Sequence, residues 1–570
     1  MLICGINSSH SASAALVRDG RLLWAIQEER PTREKNRQGF PIQALRQLLA
    51  LEGVSWKDVD AWAFGGFDSY FEADPARNGR EARIRSYKAA LGLKGTLKRF
   101  LRKTILRKVV RNRLRERQIQ RLVGEGVDRA RIHSIEHHRC HAATAFYGPG
   151  MDPEALVVTI DGAGDSLCAT ISLPGPGGRL ERLASVHERN SIGNLWEVIT
   201  ALMGMVPNEH EYKLMGMAPY AGGERTEQVK QLFRSAFVIE GDGWHLAPEV
   251  PDPRYAYAYW RERLEFVRFD HLCAGLQAFT EEFLTEWILG WLRKTGRRKL
   301  RCSGGVFMNV KLNKILGELP EVEDLFVFPS CGDETNAIGA AWAHMADQGL
   351  AHLIRPLETL YLGPEPTDEA CTAAAEQARS YGWQVSRPPE IEAAVAELLA
   401  RGEVVARASG REEFGARSLG NRAILADPTR PDVVKVVNKA IKSRDFWMPF
   451  APSVLAEAAD EYMHNPKGFA APYMILAFDS RHTDQVKAAC HPEDGTIRPQ
   501  VVTKDQNPSY HRLLEHFRAH TGRGALMNTS FNIHGEPIVS TPADAVDVMK
   551  RSGLRHLALG PFLISKPSTP

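Results

Sequence analysis

Glu136-His137-His138-Arg139-Cys140-His141 is followed, after a short gap, by Leu156-Val157-Val158-Thr159-Ile160-Asp161-Gly162-Ala163-Gly164-Asp165. The first stretch opens a helix expected over 137–147. The second reads as a buried-type strand, Ala155 to Ile160, that delivers Asp161 into a turn at Gly162-Ala163-Gly164-Asp165. A helix running into such a strand indicates α/β architecture. A carboxylate at a strand end, beside glycine-rich backbone, suits a metal and phosphate site. Spacing of i, i+4 puts His137 and His141 on one helix face, where they can share a cation. Spacing alone is weak evidence: among 19 histidines, His133/His137 and His516/His520 have it too. Asp333, after Pro329-Ser330-Cys331-Gly332, is a second candidate carboxylate, with a simple N-cap as its plainer reading.

Working outward, the N-terminus reads as a strand, Met1 to Ile6. A hairpin follows, with arms Ala12–Val17 and Leu22–Ile26 and a turn at Asp19-Gly20. Residues 98–123 read as a roughly amphipathic helix, with Leu101, Ile105, Val109, Ile119 and Leu122 near one face. Leu272–Trp291 reads as a long helix, Leu300–Cys302 as a strand, and Glu334–Ala346 as a helix. The Pro/Gly-punctuated stretch 355–366 marks a crossing between domains. Beyond it, Ile391, Val395, Leu398 and Leu399 follow helical spacing up to Gly402, and a strand is expected at Val404–Ala406. No internal repeat is visible by eye.

At 570 residues the chain exceeds a single core. It has no apolar run long enough to span a bilayer, and its start does not resemble a signal peptide. Eight scattered cysteines without a Cys-x-x-Cys pair argue against a zinc ribbon and fit reduced thiols in a cytoplasm. Net charge is +3, but residues 77–131 hold 19 Lys/Arg against 4 Asp/Glu, a balance of +15 that leaves −12 on the rest.

Other segments carry chemistry more weakly. Ser303-Gly304-Gly305 follows a strand, and paired glycines let backbone approach a nucleotide. Arg411, Arg417, Arg422, Lys442, Arg444 and Arg498 lie in loops of the C-terminal part, where Arg forks can hold phosphate. Asn528, Thr529 and Ser530 add neutral donors. His10, in the polar loop Ser8-Ser9-His10-Ser11, could serve as a general base.

Taken in order, the segments resemble a known family. They are His10-Ser11-Ala12-Ser13-Ala14-Ala15, Glu28-Glu29-Arg30, His137 to Ala143, Ile160-Asp161-Gly162, Lys213-Leu214-Met215-Gly216, Gly304-Gly305-Val306, Gly415 to Arg422, Pro449-Phe450-Ala451-Pro452-Ser453, Arg498-Pro499-Gln500, and Asn528 to Asn532 with Gly535 to Val539. Their colinear order resembles the O-carbamoyltransferases of antibiotic and nodulation-factor biosynthesis.

The resemblance implies an N-terminal actin/hexokinase-type ATPase lobe over 1–354, similar to tRNA threonylcarbamoyl-transfer enzymes, with 77–131 as a basic helical insertion. It implies a YrdC-like α/β domain over 355–570. The implied activity is ATP-dependent transfer of carbamoyl from carbamoyl phosphate, through carbamoyladenylate, to a hydroxyl of a small-molecule natural product. His137, His141, Asp161 and Asp333 resemble ligands of Fe(II) or Zn, with ATP and Mg as co-substrate. Lys35, Asp161, Gly162, Gly193, Gly305 and Asn309 resemble nucleotide contacts, and His10 the base for the acceptor. Arg417, Lys442, Arg444, Arg498, Asn528 and Ser530 resemble a carbamoyl phosphate pocket. Two positions depart from the pattern: Met448 stands where some members have Arg, and Ser8 where a member has Asp. The basic segment suits an anionic acceptor, an acidic carrier protein or an anionic membrane surface. The alternatives are a threonylcarbamoyl-type tRNA modifier, which the basic segment would also suit, and a non-catalytic ATP-dependent RNA-binding switch. Nucleic acid is not the expected partner.

Overall fold

A computed structural model describes residues 1–67, 105–442, 445 and 447–567, with side chains described for all but 105–111 and 442. Much of the basic segment, including Lys98, Arg102 and Lys103, lies outside these residues, as do Arg444 and the side chains of Arg111 and Lys442. The chain forms two compact units: Met1–Glu28 with Asn36–Leu357, and Glu29–Lys35 with Glu358–Pro570.

Two five-stranded sheets build the first unit. β1 (Leu2–Asn7), β2 (Ser13–Arg18), β3 (Arg21–Gln27), β4 (Ala61–Gly65) and β5 (Ile132–Ile135) pair in the order β3-β2-β1-β4-β5. β6 (Ala155–Gly164), β7 (Leu167–Pro174), β8 (Leu180–His187), β11 (Lys299–Ser303) and β12 (Asp324–Val327) pair as β12-β11-β6-β7-β8. Between them in sequence, β9 (Phe237–Glu240) and β10 (Gly243–Leu246) form a separate ribbon. Both sheets have one plan. Three antiparallel strands come first, and two more then add parallel to the first. The unit is therefore a topological duplication, although no repeat shows in the sequence. A shared strand order needs a common alternation of elements, not common side chains.

The first hairpin turns at Asp19-Gly20, where φ is 49° and 83°, the positive pair that a two-residue turn requires. The second does not turn at the glycines. β6 runs on to Gly164, and the turn falls at Asp165-Ser166, with φ of 49° and 71°. The Asp165 carboxylate accepts from the backbone N–H groups of Phe67 and His137, which ties this turn to the neighbouring sheet and helix.

Helix α1 (Ile42–Glu52) covers the first sheet, and the buried Glu28 carboxylate accepts from Gln43 and Ala44 N–H at its start. Helix α2 (Ile105–Gly124) buries Leu122 against the same core. Two helices sit centrally: α3 (His137–Tyr147), after β5, and α4 (Asn336–Asp347), after β12. Each is buried nearly all round, and each packs on the other half's sheet, α3 on β6 and β11, α4 on β1 and β4. Small residues permit this. A Cβ on Gly5 would lie 1.8 Å from Ala337 O, and one on Gly339 would lie 2.1 Å from Cys140 O.

The second unit is centred on an eight-stranded sheet of β13 (Gln384–Ser386), β14 (Val405–Ala408), β15 (Arg422–Ala426), β16 (Ala451–Leu455), β20 (Gln500–Val502), β21 (Ala525–Ser530), β22 (His556–Leu559) and β23 (Phe562–Ser565). Their order is β13-β23-β22-β14-β15-β21-β16-β20. A small sheet adds β17 (Met463–His464), β18 (Phe478–Ser480) and β19 (Thr496–Ile497). Ala406, Ala408, Ile424 and Leu557 on one face meet helices Asp368–Ser380 and Pro542–Arg551. On the other face Arg407 donates to Ser509, which donates to Glu392, joining helices Pro508–Thr521 and Ile391–Ala400. Arg30, in the short N-terminal stretch that belongs to this unit, is buried against Glu412 and donates to Gly415 O.

Candidate functional site

His137, His141, Asp161 and Asp333 converge at the starts of the two central helices, with one donor atom from each within 4.8 Å of the others. His137 Nε2 lies 3.3 Å from an oxygen of Asp161 and 3.3 Å from one of Asp333. His141 Nε2 lies 3.2 Å from His137 Nε2 and 3.6 Å from Asp333. The duplicated topology explains the convergence. The histidines begin the helix after the fifth strand of the first half, Asp161 lies near the end of the first strand of the second half, and Asp333 precedes that half's central helix. Ser9, just past the first strand of the first half, donates to Asp333 at 2.9 Å.

Charge in this cluster is set by burial and mutual attraction. Burial alone would drive His137 neutral, but the Asp333 and Asp161 carboxylates raise its pKa well above the histidine range. Burial works against an ionised Asp333, yet His137 and His141 hold it well below the usual carboxylate range. Asp161 is also lowered: burial and Asp333 push it up, and the two histidines outweigh them. A positive charge is therefore stabilised among these groups. Metal–ligand bonds of about 2.0–2.2 Å place adjacent donors roughly 3–3.5 Å apart, so two imidazoles and two carboxylates at these separations fit a transition metal. The third histidine of the motif is turned away: His138 Nδ1 is 2.8 Å from Thr159 Oγ1, and burial, with His137 and His141, drives its pKa well down. His141 Nδ1 faces Ser303 Oγ at 3.4 Å, and the Asn336 amide lies 3.4 Å from both ligand imidazoles. Asn336 gave no signal in the sequence, and Ser9 and Ser303 only as members of their loops, because only the fold brings them here.

The glycines expected at a nucleotide have packing reasons as well. Gly305 N–H donates to Asp161 at 2.8 Å, and Gly304, at φ 106°, would drive a Cβ to within 2.3 Å of Ile160 O. A Cβ on Gly193 would lie 2.9 Å from the Gly162 backbone. Asn309 caps the helix Val310–Glu318 and exchanges hydrogen bonds with the Gln277 amide. Lys35 lies in the stretch Glu29–Lys35, which belongs to the second unit. His10 follows Ser9, with its Nδ1 3.0 Å from Ser11 Oγ.

In the second unit, Asn528 on β21 bonds to residues that neighbour two of the expected anion-pocket positions. Ser418, next to Arg417, accepts from Asn528 through its carbonyl, and Gln500, two residues beyond Arg498, accepts through its side chain. Alternation puts Ser530 on the same strand face as Asn528. Arg417 and Arg498 are half-buried. Arg422 does not fit the anion-binding expectation. It is buried, and its guanidinium donates to the carbonyls of Ser409, Gly410, Asn421 and Ser540. Arg411 donates to Gly363 O.

Comparison with known proteins agrees with both units. The family description Carbamoyltransferase N-terminus matches residues 2–342, and Carbamoyltransferase C-terminus matches 396–566. The uncharacterized protein sll1178 of Synechocystis sp. is 31% identical, with 100% of this chain and 97% of its own covered. Nodulation protein NolNO of Sinorhizobium fredii is 30% identical over 98% of this chain and 79% of its own. The 3'-hydroxymethylcephem-O-carbamoyltransferase of Amycolatopsis lactamdurans is 31% identical over 46% of this chain and 48% of its own. The chain belongs to the carbamoyltransferase family and is an enzyme that transfers a carbamoyl group.

Proposed function

We propose that the chain makes an O-carbamoyl ester in three balanced steps. In the second unit, read as YrdC-like, carbamoyl phosphate and water give carbamate and phosphate. In the first unit, read as an actin/hexokinase-type ATPase, carbamate and Mg-ATP give carbamoyladenylate and pyrophosphate. An acceptor hydroxyl then attacks the carbamoyl carbon, its proton passes to His10, and AMP leaves. The acceptor is a small natural-product alcohol, in keeping with the names of the cephem and nodulation relatives.

The cluster of His137, His141, Asp161 and Asp333 carries this reading. Its mixed nitrogen and oxygen donors suit Fe(II) or Zn better than Mg. When bound, such an ion supplies Lewis acidity toward the carbamoyl carbonyl, which resonance makes a poor electrophile. The protein's own contribution is to fix that position. Ser9 and Gly305 N–H each hold one carboxylate, and both central helices are buried. Arg417, Lys442, Arg444 and Arg498 are assigned the charge for the phosphate, and Ser530 and Asn528 neutral contacts to the same substrate. Carbamate decomposes in water, so a chain that both makes and uses it limits the loss.

The division of labour is testable with two variants. Arg498→Ala is expected to lower kcat/KM for carbamoyl phosphate by roughly 10–100-fold, the loss of one charge-assisted fork, with ATP binding unchanged. The His137→Ala/His141→Ala double variant is expected to stop carbamoyladenylate formation while phosphate is still released from carbamoyl phosphate. Equal losses in both half-reactions for both variants would overturn the assignment.

A further inference from the structure

Asn528 is 2% exposed, and the direction of its amide is fixed by main-chain carbonyls. Leu419 O accepts from Gln500 Nε2 at 2.8 Å, and a carbonyl can only accept. The Gln500 nitrogen must therefore face Leu419, and its Oε1 faces the other way. There it accepts from Ser453 Oγ at 2.9 Å and lies 3.3 Å from Asn528 Nδ2. The same Nδ2 lies 3.2 Å from Ser418 O and 3.0 Å from Ser453 Oγ. Two N–H groups meet three acceptors, so the donors of Asn528 are spent. Its Oδ1 remains, buried and without a partner among the described residues. A buried acceptor left unmet costs free energy that a ligand donor would recover.

Phosphate at neutral pH presents mainly acceptor oxygens, and Oδ1 would repel them. The carbamoyl group presents an –NH2. We propose that Asn528 Oδ1 accepts from the carbamoyl –NH2 and selects carbamoyl phosphate over other acyl phosphates, with Gln500 and Ser453 as positioning residues that hold the amide in this sense. This rests on the reading of the second unit as the carbamoyl phosphate site.

The test follows phosphate release by the full chain and uses acetyl phosphate, which has –CH3 where carbamoyl phosphate has –NH2. In the unaltered protein, acetyl phosphate is expected to bind at least about tenfold more weakly than carbamoyl phosphate. Asn528→Leu and Gln500→Leu are each expected to raise the KM for carbamoyl phosphate by about 10–100-fold while the inhibition constant of inorganic phosphate stays unchanged. A KM and a phosphate inhibition constant that rise together would put Asn528 on the phosphate and overturn the inference. So would equal binding of acetyl and carbamoyl phosphate by the unaltered protein, a result that needs no variant to fold. If Arg498→Ala and inorganic phosphate both leave carbamoyl phosphate turnover untouched, the reading of the site itself fails, and the inference with it.

Discussion

His137 and His141 are one turn apart, Asp161 is buried and Asp333 half-buried, and each charge in the cluster depends on the others. We expect about one transition-metal ion per chain, lost in the His137→Ala/His141→Ala variant. Elemental analysis that finds that variant fully loaded would remove the site. Glu28 gives a second prediction from a single residue. Burial raises its pKa to about 6, and the N–H groups of Ala44 and Gln43 only partly offset this. The folded chain thus holds this proton more tightly than the unfolded chain, whose carboxyl titrates near 4.5. The stability from that tighter hold is present in full below pH 4.5 and is lost as pH rises through 6, by about 2 kcal/mol. Glu28→Gln retains an acceptor for the start of α1 and removes the titration. Relative to the parent, its Tm should rise between pH 5 and pH 7.5. A difference that does not change with pH would show that Glu28 does not titrate in this window.

At the scale of elements, α3 and α4 determine whether the ligands meet. Gly339 allows α4 to lie against the Cys140 carbonyl of α3. Gly339→Ala is expected to cost about 1–3 kcal/mol through overpacking and to lower metal content, because it drives apart the helices that start at His137 and follow Asp333. Unchanged Tm and metal stoichiometry would mean that the helices do not approach so closely. These elements were largely legible. The helix 137–147 has the bounds expected, because its pattern is local and Glu136 caps it by accepting from His138 and Arg139 N–H. The β6–β7 turn was misplaced, because glycines normally mark turns, whereas here they serve close contact: a Cβ on Gly164 would lie 2.1 Å from the His137 ring. Arg422 was misread because an Arg that binds main-chain carbonyls looks the same in sequence as one that binds phosphate.

Across the whole molecule, duplication gives the first unit its site. Two sheets of one plan each lend a helix to the other, and the donors meet where those helices begin. No one-dimensional pattern shows this, since the two halves share an order of strands and not a motif. In the second unit, Ser418, Ser453, Gln500 and Asn528, far apart in sequence, are joined by side-chain hydrogen bonds. The i, i+4 histidines were visible because both lie on one helix turn. Asn336 was not, and Ser9 and Ser453 showed only as members of their segments, because their roles exist only in three dimensions. The measurement that bears most directly on the proposed chemistry is the nucleotide product of the complete reaction with carbamoyl phosphate and an acceptor alcohol. The account predicts AMP and pyrophosphate in equal amounts, with one free phosphate per carbamoyl phosphate consumed. ADP as the stoichiometric product would contradict it.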